Sequence, residues 1–248
     1  MFDLKQFAAL DAELDMAITI ASLKEALESM PSTGALTADH TRTLDLVVQK
    51  MGEAERYFER PVDEPAIYEK LLAVARLAGR DDLTKEFGKR VATIQARELY
   101  FKAYLQAFFG ASSKAVELYS KAVALVPDYG EAKDGLGKAE SRVAKARSKL
   151  QGLKAKAEPK ADPKALSELG TALLDLDQPG EALKCFDAAA KLTPKDINVM
   201  CKRASALAVL GRIDEANEIF KSALGAQPGS LNAKRGLNYT NYLTGKQG

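Results

Sequence analysis

Apolar side chains recur at spacings of three and four along most of the chain, the pattern of amphipathic helices. Over residues 2–30 the stripe is Phe7, Leu10, Leu14, Ile18, Leu23, Leu27 and Met30, and Pro31-Ser-Thr-Gly34 breaks it. A second helix is predicted from about Thr37 to Phe58, with Leu44, Val47, Val48, Met51, Ala54 and Phe58 inward. Pro61 and Pro65 then bracket a short turn. Between Pro163 and Ser230 the stripes come in pairs, divided by the turn signals Asp177-Gln-Pro-Gly180 and Gly211-Arg-Ile-Asp214.

That last stretch is one helical hairpin written twice. Leu169, Gly170, Leu173, Ala182, Phe186, Ala189 and Pro194 match Arg203, Ala204, Leu207, Ala216, Phe220, Ala223 and Pro228 at a constant offset of 34 residues. Small residues sit where paired helices must approach closely, Phe186 and Phe220 fill the space between hairpins, and each proline ends a second helix because it lacks an N–H. This period with small, aromatic and proline landmarks resembles the tetratricopeptide repeat. The resemblance implies an all-α fold: a solenoid of helical hairpins. Leu231–Leu243 follows as one unpaired helix, the form of a C-terminal capping helix.

Upstream the pattern fades. Leu77-Ala-Gly-Arg80, Asp82 and Phe87 echo the landmarks at shortened spacing, and Ala103, Ala115, Tyr119, Ala122 and Pro127 fit them well. Lys102 and Gln106 replace apolar landmarks in that copy. Leu136, Ala139, Val143, Ala146, Leu150 and Leu153 are heptad-like, which favours one long helix from about Gly130 to Ala157, capping the preceding repeat and running on as a spacer. The expected division is therefore 1–60, an extra acidic N-terminal helical hairpin; 61–129, degenerate repeats; 130–162, a long basic helix and spacer; and 163–248, two repeats plus cap.

Composition narrows the function classes. Charged residues make up 28% and hydrophobic ones 46%, ordinary for a globular chain, and no run is long and apolar enough to span a bilayer. The N-terminus lacks a secretory pattern, so cytoplasmic residence is expected. Residues 1–65 hold 6 basic and 13 acidic side chains, a net of −7, against 30 and 21, a net of +9, in the rest. Cys185 and Cys201 have no metal-like spacing and read as small buried hydrophobes. His40, the sole histidine, reads as a surface residue. Gly135-Leu-Gly-Lys138 fails as a phosphate loop, since Ala132 and Ala139 replace the leading glycine and the metal-binding hydroxyl. No catalytic residue, metal site or cofactor is expected. The basic run from Lys138 to Lys156 is diluted by acids and lacks interleaved aromatics, which argues against nucleic acid.

What remains is binding. In the family, the first helix of each hairpin lines a concave groove that holds peptides, and the resemblance carries that role to Lys164, Thr171, Asn198, Lys202, Ser205, Asn232, Arg235 and Tyr239. Lys202 and Arg235 suit a carboxylate or acidic side chain. Some family members clamp a C-terminal carboxylate with a Lys/Asn/Arg set; Ser167, Thr171 and Gly236 stand at three of those places, so that clamp is not reproduced. Tyr100, Phe101, Tyr104 and Phe108 are aromatic anchors on one helix, unless the N-terminal hairpin covers them as core. The expected function is a non-enzymatic adaptor for a peptide or protein partner. The charge division also fits a homo-oligomeric scaffold in which the acidic hairpin docks on the basic array.

Overall fold

The computed structural model describes residues 16–57, 64–157 and 162–245, and every regular element among them is an α-helix. The predicted helical residues 2–15, the side chain of Ile18, Phe58, Pro61 and the break at 158–161 lie outside the described residues. The contacts divide into two units, 1–95 and 96–248.

In the first unit lie α1 (Met16–Glu28), α2 (Ala38–Tyr57), α3 (Pro65–Leu77) and the beginning of α4 (Asp81–Phe108). Their apolar faces meet in a core that includes Leu23, Leu27, Leu44, Val47, Leu71, Val74 and Phe87. Tyr68 is buried there and donates its hydroxyl to Glu55 at 2.7 Å, satisfying its one polar atom.

The second unit holds the rest of α4, then α5 (Ser112–Leu125), α6 (Gly130–Ala157), α7 (Pro163–Asp175), α8 (Pro179–Leu192), α9 (Ile197–Val209), α10 (Ile213–Ala226) and α11 (Leu231–Leu243). The repeat landmarks behave as their sizes require. Ala182, Ala189, Ala204, Ala216 and Ala223 are fully buried, as are Phe186 and, within 1%, Phe220. Gly170 is the seat of the Phe186 ring: a Cβ there would stand 2.7 Å from it. Helix starts also keep the period, because Asp162, Asp196 and Ser230 each cap the helix that follows through a side-chain oxygen.

Helix α6 runs unbroken for 28 residues, and Ala132, Ala139 and Ala146 form its buried stripe. Its first half packs on α4 and α5. Its second half is packed too, because Leu150, Leu153 and Ala157 extend the stripe onto Leu169, Leu173 and Phe186. The segment expected as a spacer is a spine.

Four turns share one closure. At Gly79, Gly110, Asp177 and Gly211, φ is +65°, +91°, +60° and +79°, and the next residue's N–H bonds the carbonyl five positions back at 2.8–3.0 Å. This C-terminal cap needs the left-handed region, which favours glycine. Asp177 is the exception, and its ion pair with half-exposed Lys114 at 3.2 Å offsets little of the strain. Asp177→Gly is therefore expected to raise stability by about 0.5–1 kcal/mol. Urea unfolding monitored by circular dichroism checks this; a loss of stability would contradict it.

Candidate functional site

Helix α4 places Tyr100, Tyr104 and Phe108 four residues apart, on one face. With Tyr119 of α5 they form the aromatic wall of a cavity of about 800 Å³, whose opposite wall is the first half of α6. Tyr100 stands 5.8 Å from Tyr119 and 5.3 Å from Tyr129, ring to ring. Burial pushes the Tyr119 phenol up to about 12, so it stays neutral and keeps its proton. Gly135 on α6 allows this ring so close; a Cβ there would meet it at 2.5 Å.

The far end of this wall is occupied by the protein itself. From α11, Arg235 donates to the Tyr104 hydroxyl at 2.6 Å, and its guanidinium lies 5.3 Å over the Phe108 ring. Tyr239 donates to the same hydroxyl at 3.2 Å and meets Phe108 edge-on at 4.7 Å. Tyr242 meets Phe101 in the same way at 5.1 Å.

A second concavity, of about 410 Å³, lies between α6, α7 and α9. Arg142, Lys145 and Lys149 line one side, with Thr171 and Lys202 on the others. The Lys202 ammonium is half-buried and donates to the Ser167 hydroxyl at 2.8 Å. Burial pulls its pKa below that of an ordinary lysine, against the pull of Asp196 and Glu168. Glu168 and Asp175 also border this basin.

Asp175 is 7% exposed and closes α7. Ser112 donates its hydroxyl to the carboxylate, Arg142 donates to the same oxygen at 2.9 Å, and Ser113 donates to the Asp175 carbonyl at 2.8 Å. Arg142 also reaches the Ala107 carbonyl at 3.0 Å. Asp175 and Arg142 together thus tie the end of α4, the first turn of α5, α6 and α7. Burial pushes its pKa up, and the bonds from Ser112 and Arg142 oppose that shift.

The sequence-named residues divide between these features. Thr171 and Lys202 share the cationic basin. Tyr100, Tyr104, Phe108 and Arg235 line the aromatic cavity, and Tyr239 packs beside them. Lys164, Asn198, Ser205 and Asn232 line neither: Lys164 and Asn198 sit exposed in the first turns of α7 and α9, Ser205 is half-buried on α9, and Asn232 is exposed on α11. Phe101 lies on the cap contact with Tyr242, outside both cavities. The basin also takes in Lys145 and Lys149, which the sequence shows only as members of the basic run from Lys138 to Lys156. Their one legible signal is that Ala146 between them belongs to the buried stripe, so the neighbouring cations flank packed surface.

Among the described residues no group of histidine, cysteine, aspartate and glutamate could hold a metal ion, and no helix is long and apolar enough to cross a membrane. A family model described as "Tetratricopeptide repeat" matches residues 73–227. No curated protein matches the chain by sequence. Among solved structures, YrrB, described as a TPR protein with an unusual peptide-binding site, is 18% identical over 79% of this chain and 84% of its own, with a TM-score of 0.40. MamA of MSR-1 is 24% identical over 60% and 88%, with a TM-score of 0.38. The second TPR domain of human RPAP3, solved with an HSP70 peptide, is 18% identical over 62% and 98%, with a TM-score of 0.32.

Proposed function

The chain belongs to the tetratricopeptide-repeat family, matched over more than half its length, and from that premise we propose that it is a non-enzymatic adaptor holding an acidic peptide or protein segment. The basin between α6, α7 and α9 is where the acidic group docks. One observation carries this reading: Lys202 is kept half-buried with a neutral hydroxyl as partner, beside Lys145 and Lys149. The carboxylates of Asp196 and Glu168 act on this half-buried ammonium without offsetting its burial, so an arriving carboxylate gains more there than on an open lysine. Glu168 and Asp175 at the rim limit the site to a few charges, and Asp175 is already engaged by Arg142.

A fluorescein-labelled acidic hexapeptide with a free C-terminal carboxylate tests this by anisotropy. Lys149→Glu/Lys202→Glu is expected to weaken it about tenfold or more, the effect of losing two charge-assisted contacts. The pH dependence has a definite sign. Burial lowers the Lys202 pKa, and the anion binds the charged form, so affinity holds below that pKa and falls as pH rises through it. The decline should begin at a lower pH than for an exposed lysine. Equal binding by the charge-reversed variant would count against the basin.

A further inference from the structure

The aromatic cavity has two ends of different character. At the Phe108 end the cation of Arg235 already rests on the wall, hydrogen-bonded to Tyr104 and stacked over Phe108. Two helical turns away, the Tyr100 end has the same kind of surface with Tyr119 and Tyr129 about it. Facing that end from α6 are Glu131 and Asp134, both exposed, and neither is in an ion pair among the described residues. Lys138, one turn beyond Asp134 on α6, also lines the cavity, and it forms no ion pair with either carboxylate. Negative ring faces and two unneutralised carboxylates make a trap for a positive group. The protein's own arginine shows that this wall accepts one.

We propose that the Tyr100 end of this cavity binds the arginine or lysine side chain of a peptide segment, held between the tyrosine rings and the Glu131 and Asp134 carboxylates. The cavity, about 800 Å³, has room for such a side chain and the backbone on either side of it. The site is separate from the cationic basin and has the opposite preference. Both lie along α6, which mixes acids and bases over Glu131 to Glu140 and carries only bases from Arg142 to Lys156. A partner bearing a basic residue ahead of, or behind, an acidic one would then be held in a single direction.

The test is calorimetric titration of the full chain with an acetylated, amidated Gly-Arg-Gly-Arg-Gly peptide and its counterpart with citrulline, which keeps the shape and loses the charge. The arginine peptide should bind, and the citrulline peptide should bind about tenfold more weakly or not at all. Glu131→Gln/Asp134→Asn should weaken the arginine peptide by a similar factor with unchanged thermal unfolding. Glu117→Gln, outside the cavity, should leave it unchanged. No binding by the arginine peptide, equal binding by citrulline, or equal weakening by Glu117→Gln would each overturn the proposal. Lys149→Glu/Lys202→Glu should leave this binding intact, so failure here and failure of the basin are told apart.

Discussion

Replacing Phe220 by alanine is expected to destabilise the second unit by about 3–5 kcal/mol, the cost of deleting a large ring from a packed core. Phe220 is 1% exposed, and its ring lies on Gly236, where any Cβ would overlap it. That contact makes a sharper prediction. Gly236→Ala should cost about 1–3 kcal/mol in the natural chain, because the buried ring cannot move aside. In the Phe220→Ala background the same methyl enters a vacated space, so its cost should vanish or reverse. Urea unfolding of the four proteins gives the cycle. Additive losses would mean that the ring and the glycine do not share one space.

The second large effect is at Asp175. Asp175→Ala should lower stability by about 2–4 kcal/mol, since it strands the Ser112 hydroxyl in the interior and leaves Arg142 without its counter-charge. Partial exposure of Arg142 keeps the loss from the top of that range. The pH dependence separates charge from shape. Burial raises the Asp175 pKa, so the folded state holds this proton more tightly than the unfolded one. Its contribution therefore grows as pH falls into the window between the raised folded value and the ordinary carboxylate value, and shrinks as pH rises through it. Asp175→Asn does not titrate there. On mild acidification the natural chain should gain stability relative to Asp175→Asn; a constant difference would contradict the assignment.

The repeat was legible because its landmarks obey local rules. A constant spacing, alanines at close approaches and prolines after second helices all follow from backbone geometry, and they recover α7 to α10 from residue types alone. The caps Asp162, Asp196 and Ser230 keep the same spacing and could have been added to the alignment. The long α6 was readable for the same reason, since its stripe continues through Leu153. Tertiary partners were not readable. Arg235 looks like an open groove residue in the sequence, but its guanidinium meets Tyr104, 131 positions away. Asp175 is buried against Ser112 and Arg142, which no local pattern connects to it. A charged helix face such as Lys145 and Lys149 is neutral information until a neighbouring helix gives it a concavity.

The most direct measurement is affinity capture from native lysate with the natural chain and with Lys149→Glu/Lys202→Glu, read by mass spectrometry after both baits show the same thermal unfolding. The adaptor account predicts at least one partner captured by the natural chain and lost from the variant. Its captured segment should be acidic and should compete with the labelled hexapeptide. Identical partners on both baits would contradict the basin as the binding site, and recovery mainly of the protein itself from each would favour a self-assembling scaffold instead.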